Sequence, residues 1–349
     1  PSMACDEGMD TLGAQPHAAR ARRNSGNRLN GGGGGGGDAI PVWRPAGREL
    51  ELKTLAPQPG LHNPHVAVSA SWHSVQGPRP RQEDRVTVIP DLSALGGELP
   101  RDARSYQHFA FVGVFDGHMG DACASALQHR VHLALCRHER FHAAMRETAV
   151  SVFRQLDREI CAELERDEDP CGSTALVAVF DGKRRALTVA NVGDSRCVLS
   201  RGGSALELTR DHRLTRKDER ERIEAAGGVI VHHRVNGQLA VSRSFGDVEH
   251  KGSDGPTTVV ATPEVFVEPV SEADEFMVIA TDGLWDVMAS QEVVNFVRIR
   301  LSEHRDLARV AKELTQEALH NASVDNVSAV IVAFNQAPHP RNGGASAPT

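Results

Sequence analysis

The sequence predicts an α+β fold in which antiparallel sheets carry helices on their outer faces. Two observations indicate this class. Apolar, β-branched runs of strand length outnumber the stretches with helical periodicity. Many of these runs also follow one another through short turns, which join antiparallel strands and leave the helices to pack outside. Between the two ends of the chain we find no internal repeat and no clear linker, so we expect one domain over residues 66–335.

Apolar runs bounded by polar or turn-forming residues predict the strands. The first such run is RVTVIP, at residues 85–90. The later runs are HFAFVGVF (108–115), TALVAVF (174–180), RALTVANV (185–192), SRCVLS (195–200), EFMVIAT (275–281) and NVSAVIVAF (326–334).

Two long stretches predict helices, because their apolar residues recur every three or four positions and form one stripe. In residues 143–165 the stripe consists of Met145, Ala149, Val152, Leu156, Ile160 and Leu164. In residues 306–320 it consists of Leu307, Val310, Ala311, Leu314 and Ala318. Asp306 precedes this second stripe and is a candidate N-cap. Residues 118–138 predict a third helix.

Both ends of the chain have the composition of disordered segments. Residues 1–65 are rich in Ala, Arg and Pro and include seven consecutive glycines, Gly31–Gly37. Residues 336–349 form a shorter tail of the same character. The leader also carries a loose basic cluster, which we interpret as a solvated tail, with a nuclear address as the alternative. The cluster consists of Arg20, Arg22, Arg23 and Arg28.

Composition excludes several classes of function. The formal net charge of −7 argues against general nucleic-acid binding, which needs a basic surface. No apolar run is long enough to span a membrane, and no secretory signal is present. The six cysteines are scattered without a C-x-x-C pair, which favours reduced thiols over a disulfide framework or a zinc site. We expect a monomer in the cytoplasm and/or nucleus, with no nucleic-acid or membrane partner.

Acidic residues stand where the predicted strands begin or end. FVGVFDGHMG places Asp116, Gly117 and His118 directly after a strand. An isolated Asp-Gly pair is usually an ordinary turn. Here, however, further acids occupy comparable positions: Glu83, Asp84, Asp194, Asp282, Asp286 and Asp325.

If these strand ends meet at one rim, the carboxylates repel one another unless a cation lies among them. All the candidate ligands are oxygen atoms, which suit Mg²⁺ or Mn²⁺, or Ca²⁺ in a looser site. The spacing alone leaves two interpretations open, a metal site and a set of solvated acids.

Ten short stretches carry a resemblance to a known family. They are GPRPRQEDR (77–85), VFDGHMG (114–120), CGSTALV (171–177), ANVGDSR (190–196), TRDH (209–212), RIEAAGGVI (222–230), RVNGQLAVSRSFGD (234–247), TPEV (262–265), EFMVIATDGLWDVM (275–288) and DNVSAVIV (325–332). In this order they resemble the metal-dependent serine/threonine protein phosphatases of the 2C type, over about residues 70–334. The resemblance implies a four-layer α-β-β-α sandwich of two antiparallel sheets flanked by helices, with the active site at one edge.

The same resemblance implies a metal centre of two Mg²⁺ or Mn²⁺ ions. Asp116 would bridge both ions. One ion would also be held by Asp282 and Asp325, and the other by Glu83 and the backbone carbonyl of Gly117, mostly through water. Asp194 and Asp282 would hold a possible third, weaker ion. Asp84 and Asp286 would orient ligands and water rather than bind metal directly.

Catalytic roles are implied in the same way. A water activated by the two ions would attack the phosphorus of phosphoserine or phosphothreonine in protein substrates, without a phosphoenzyme intermediate. His118, two residues after the bridging acid, would donate a proton to the leaving oxygen. Arg79 would bind phosphate oxygens through its planar guanidinium. Arg243 is better interpreted as a structural or substrate-edge residue.

The chain departs from the family pattern after TRDH. Arg213-Leu214 stands where the family often has Lys-Pro, and this pair opens a segment, residues 213–237, that governs substrate access in relatives. Substrate preference is therefore open. That segment has His232 and His233 but no tryptophan, which argues against the role of plant hormone co-receptors.

Three other functions are alternatives to a metal-dependent phosphatase. The main alternative is a catalytically silent phosphatase-like scaffold, although such a protein would normally have lost a metal ligand. A phosphoesterase acting on nucleotides or nucleic acid is opposed by the net acidity. A cysteine-based phosphatase is opposed by spacing, because Cys123 and Arg130 are one residue too far apart for its loop.

Overall fold

The computed structural model describes residues 62–63, 65–251 and 257–334, and the structural statements that follow concern these residues. The predicted tail and nearly all of the predicted leader lie outside them. Among the described residues, none of the helices combines the length and the apolar character that a membrane crossing requires. The five described cysteines are all free thiols.

Sixteen strands and six α-helices are formed by the described residues. The strands are β1 (His62–Asn63), β2 (Val68–Val75), β3 (Arg85–Ile89), β4 (Phe109–Phe115), β5 (Gly117–His118), β6 (Gly172–Ser173), β7 (Ala175–Asp181), β8 (Ala186–Val192), β9 (Arg196–Arg201), β10 (Ser204–Glu207), β11 (Ile230–Val231), β12 (Arg234–Val235), β13 (Phe245–Gly246), β14 (Glu264–Pro269), β15 (Asp274–Ala280) and β16 (Val327–Phe334). The helices are α1 (Ala122–Arg137), α2 (Met145–Arg166), α3 (Lys217–Ala225), α4 (Asp282–Trp285), α5 (Ser290–His304) and α6 (Leu307–His320).

The strands form two large antiparallel sheets. One sheet has six strands in the order β1-β2-β16-β15-β9-β10, and the other has five in the order β14-β8-β7-β4-β3. The predicted antiparallel α+β class is therefore confirmed. Two small sheets accompany them: β11 pairs with β12, and β13, β6 and β5 pair in that order.

Alternate side chains of the central strands enter different apolar layers, and this alternation builds the sandwich. In β4, Val112 and Val114 pack between the two sheets, whereas Phe111 and Phe115 pack against α1 and α2. In β16, Val330 and Val332 face the other sheet, and the intervening residues pack against α5 and α6. Because a strand buried on both faces has no side that faces solvent, its sequence is a continuous apolar run. The four-layer α-β-β-α arrangement is confirmed.

Most predicted elements are present, with boundaries shifted by a residue or two. Asp306 caps α6, since its carboxylate accepts hydrogen bonds from the N–H groups of Ala308 and Arg309. Two predictions are corrected. RVTVIP is not the first strand, because β1 and β2 precede it, and the helix expected over residues 118–138 begins only at Ala122, since Gly117–His118 forms β5.

A buried ion-pair network fixes the segment that follows β10. Glu219 of α3 accepts hydrogen bonds from Arg243 at 2.5 Å and from Ser242 at 2.7 Å. Burial raises the pKa of Glu219, but these hydrogen bonds outweigh it and lower the pKa to about 2. His212 and Glu264 lie close to Glu219, and Arg216 binds Glu264. Because arginines already balance both carboxylates, we interpret this group as structural.

Candidate functional site

A cavity of about 340 Å³ gathers eight of the residues singled out in the sequence. They are Arg79, Glu83, Asp116, Gly117, His118, Asp194, Asp282 and Asp325. The two remaining residues, Asp84 and Asp286, do not line this cavity. Asp84 is buried behind it, and Asp286 is exposed beside it.

Antiparallel pairing explains why these residues meet. Ala280, at the end of β15, pairs with Ala329 near the start of β16, so Asp282 and Asp325 lie at the same end of the six-stranded sheet. In the other sheet, Phe115 pairs with Arg85, which brings Asp116 beside the residues just before β3. Asp194 lies in the turn between β8 and β9, which crosses from one sheet to the other.

Gly117 allows the chain to approach the loop before β3 closely. A Cβ atom built on Gly117 would lie 2.6 Å from the carbonyl oxygen of Glu83 and 3.2 Å from Cβ of Ala124. The first distance is shorter than a Cβ atom tolerates, so a residue with a side chain here would push the two segments apart. The glycine keeps its own backbone next to Glu83.

Asn326 holds the loop of residues 76–83 in place. Its amide nitrogen donates hydrogen bonds to the carbonyl oxygens of Gln76 and Arg81, at 2.7 and 2.9 Å. Its amide oxygen accepts from the N–H of Glu83 at 2.9 Å. Of the two neighbours, the sequence predicts a ligand role for Asp325 alone. The signal for Asn326 was its position beside Asp325, immediately before β16.

Asp84 is a buried carboxyl group with an incomplete set of partners. Its Oδ2 atom accepts hydrogen bonds from Ser328 at 2.7 Å and from Thr281 at 3.1 Å. Its Oδ1 atom is buried and has no hydrogen-bond partner among the described residues. Burial, together with the charges of Asp282 and Asp325, raises the pKa of Asp84 to about 7.

Three carboxyl groups of the cavity, those of Asp116, Asp194 and Asp282, also have raised pKa values. Burial raises the pKa of Asp194 to about 8 and that of Asp282 to about 6, and neighbouring acids add to both shifts. The pKa of Asp116 is raised well above its ordinary value by burial and by the charges of Asp84, Asp282, Asp194 and Asp325. The ionised forms therefore repel one another, and a cation placed among them would be strongly attracted.

Arg79 lies at the rim of the cavity. Its Nη2 atom donates a hydrogen bond to Asp325 Oδ2 at 2.5 Å, and its Nε atom donates to the carbonyl oxygen of Val324 at 3.3 Å. Half of the side chain is exposed. A guanidinium has five donors, so these two contacts leave others for an anion that enters the cavity.

His118 is oriented by Asp247, a residue that the sequence analysis did not single out. The Nε2 atom of His118 lies 2.8 Å from Asp247 Oδ1. Burial raises the pKa of Asp247, but hydrogen bonds from His118 and Ser244 outweigh burial and lower it. A Cβ atom on Gly172 would come within 2.5 Å of both side chains, so Gly172 leaves room for the pair. The available signal was the acid that ends SRSFGD.

Arg213 lies beside the cavity, close to two of its acids and to Asp286, which lies outside it. Its guanidinium is 3.3 Å from Asp194, 3.6 Å from Asp282 and 2.6 Å from Asp286. In the sequence this residue departs from a family pattern, and the pattern predicts no role for it.

Comparisons with known proteins agree on one family. The sequence model described as "Protein phosphatase 2C" matches residues 69–327. "Probable protein phosphatase 2C 22" of Arabidopsis thaliana is 38% identical over 279 residues, which cover 78% of this chain and 70% of the relative. "Probable protein phosphatase 2C 57" of Oryza sativa subsp. japonica is 38% identical over 281 residues, or 79% of this chain and 74% of the relative.

A solved structure extends this similarity to three dimensions. The crystal structure of serine-threonine phosphatase 2C from Toxoplasma gondii aligns with a TM-score of 0.66 and 26% sequence identity. The alignment covers 80% of this chain and 98% of that one.

Replacing Asp116 by Asn should stabilise the protein in chelator at pH 8, because one of the repelling charges is removed. A carboxyl group with a raised folded-state pKa disfavours folding increasingly as the pH rises above its ordinary pKa of 3.8, so the gain should shrink as the pH is lowered towards about 4. We expect the melting temperature to rise by about 2 °C or more at pH 8, for a gain of about 1 kcal/mol.

Thermal unfolding followed by circular dichroism measures this difference. The matched control is Asp102→Asn, because Asp102 is an exposed acid bonded to Arg104 away from the cavity. A melting temperature below that of the unsubstituted protein at pH 8 would contradict the proposed repulsion.

Proposed function

Because the chain belongs to the protein phosphatase 2C family and is a serine/threonine protein phosphatase, we propose that it hydrolyses phosphoserine and phosphothreonine in proteins with two divalent cations, Mg²⁺ or Mn²⁺, held in the cavity. Membership of the family implies phosphoprotein substrates and a divalent metal. The choice of ion, its ligands and the reaction path are our proposal.

One observation supports the proposal most strongly: acids from both sheets converge on one cavity, where burial and mutual repulsion raise the pKa values of Asp116, Asp194 and Asp282. The donors fit hard cations, because all of them are oxygen atoms. The unpartnered Oδ1 atom of Asp84 and the close backbone approach at Gly117 also support a cation nearby.

The residues would divide between two ions. Asp116 would contact both, Asp282 and Asp325 would bind one, and Glu83 with the carbonyl of Gly117 would bind the other. When bound, such ions lower the pKa of water and offset the negative charge of phosphoryl oxygens. Asp84 would hold the surrounding polar groups in position, since Thr281 and Ser328 fix its carboxylate.

Arg79 would position the phosphoryl group. Its half-exposed guanidinium is held at the rim by Asp325 and Val324, and its remaining donors match the geometry of phosphate oxygens. Binding there would place the phosphorus next to the acids of the cavity.

His118 would serve as the general acid. With Nε2 bonded to Asp247, the ring is held in one orientation and Nδ1 is the nitrogen left to act on the substrate. As the bond between phosphorus and the serine or threonine oxygen breaks, His118 would give its proton to that oxygen. Asp247 would then support the neutral ring in one tautomer.

A monomeric state, a location in the cytoplasm and/or nucleus, and the lack of nucleic-acid and membrane partners stay predictions from the sequence. The acidic net charge of the chain supports the expectation about nucleic acid.

Replacing Asp116 or Asp282 by Ala should lower the hydrolysis of a phosphothreonine peptide by more than about 10²-fold, because each removes a ligand that stabilises the transition state. Activity of the unsubstituted protein should require added Mg²⁺ or Mn²⁺ and stop with chelator. Phosphate release measures both effects, with Asp102→Ala as the control. Turnover within tenfold of normal in either variant, or full activity in chelator, would refute the assignment.

His118→Ala should slow the hydrolysis of the phosphothreonine peptide by about 10²–10⁴-fold, which is the usual contribution of a general acid to the rate. The rate of hydrolysis of an aryl phosphate such as p-nitrophenyl phosphate should fall far less, because its leaving group needs no proton. Asp247→Asn should act in the same direction on the peptide, because Asp247 orients the ring of His118. Equal losses on both substrates would remove His118 from this role.

A further inference from the structure

Arg213 bridges the acids at one side of the cavity. Its guanidinium contacts Asp194 and Asp282, which line the cavity, and Asp286, which lies outside it. The contact with Asp286 is a hydrogen bond of 2.6 Å, whereas the others are ion-pair distances of 3.3 and 3.6 Å. About two thirds of the arginine side chain is buried.

Two features of the local fold hold Arg213 in this position. Arg213 itself forms a β-bridge with Val241. The next residue, Leu214, is 1% exposed and belongs to the apolar cluster of Ile223, Val235 and Val259. With Leu214 fixed in that cluster, the preceding side chain is directed towards the acids. The guanidinium is therefore anchored by packing as well as by charge.

The position of this guanidinium conflicts with a third cation. The resemblance to the family assigns a third ion to Asp194 and Asp282, and Arg213 lies within 3.6 Å of both carboxylates. An ion bridging the same two acids would have to share the space between them with a positive charge. Two cations a few ångströms apart in a partly buried site repel strongly.

We propose that the guanidinium of Arg213 takes the place of a third divalent cation, so that the cavity of this chain binds two ions. The inference rests on the proposed two-metal function. The arginine offsets the charge of Asp194 and Asp286 with a cation that cannot dissociate. It also ties the first residue of the segment 213–237 to the metal centre.

Anomalous diffraction from crystals equilibrated with Mn²⁺ tests the proposal directly. We expect two Mn²⁺ peaks in the unsubstituted protein and a third peak, between Asp194 and Asp282, in Arg213→Ala. Arg210→Ala should keep two peaks, because Arg210 is an exposed arginine three residues away. A third peak in the unsubstituted protein would overturn the proposal, and so would the lack of one in Arg213→Ala.

Counting bound Mn²⁺ in solution by electron paramagnetic resonance gives a second readout that does not depend on activity. The stoichiometry should rise from two to three in Arg213→Ala and stay at two in Arg213→Lys, which keeps the charge. If Arg213→Ala does not fold, Arg213→Gln takes its place. Three ions in the unsubstituted protein, or two in both neutral variants, would overturn the inference. Failure of the two-metal function itself would appear differently, as no Mn²⁺ bound near Asp116.

Discussion

Repulsion between carboxylates gathered at one end of two packed sheets is the constraint on which the functional centre depends. The apolar layers fix the strands, and the strands fix where their terminal acids lie. Those acids cannot move apart without disrupting the β-pairing. Burial then raises the cost of their charges, as the pKa values of Asp194 and Asp282 indicate. The stability of the sandwich thus holds in place a cluster that is unfavourable without cations.

The surrounding residues divide between holding this cluster and using it. Thr281 and Ser328 fix Asp84, and Asn326 fixes the loop that carries Glu83. His118 and Arg79 stand at the edge of the cluster, where a phosphoryl group would enter. Arg213 balances part of the charge from one side. At these positions, arginine side chains or oriented hydrogen-bond donors face concentrated negative charge.

Much of the fold could be predicted from the sequence, because strands buried on both faces read as apolar runs. β2 could not be predicted in this way, because its buried serines, Ser69 and Ser71, interrupt the apolar run. The acids of the site could be found because each stands at a strand end. Asp247 and the role of Arg213 could not be predicted, because their partners lie far away in the sequence. His118 is 129 residues from Asp247, and Asp286 is 73 residues from Arg213. Only the topology brings them together.

Calorimetric titration of Mn²⁺ into the protein at pH 6.5, in two buffers of different ionisation enthalpy, tests the central claim most directly. Carboxyl groups with raised pKa values, such as Asp84 and Asp116, hold protons in the metal-free protein and release them when a cation binds beside them. The account predicts heats that depend on the buffer and correspond to the release of about one proton or more per protein. Binding heats that are the same in both buffers, with no proton released, would contradict it.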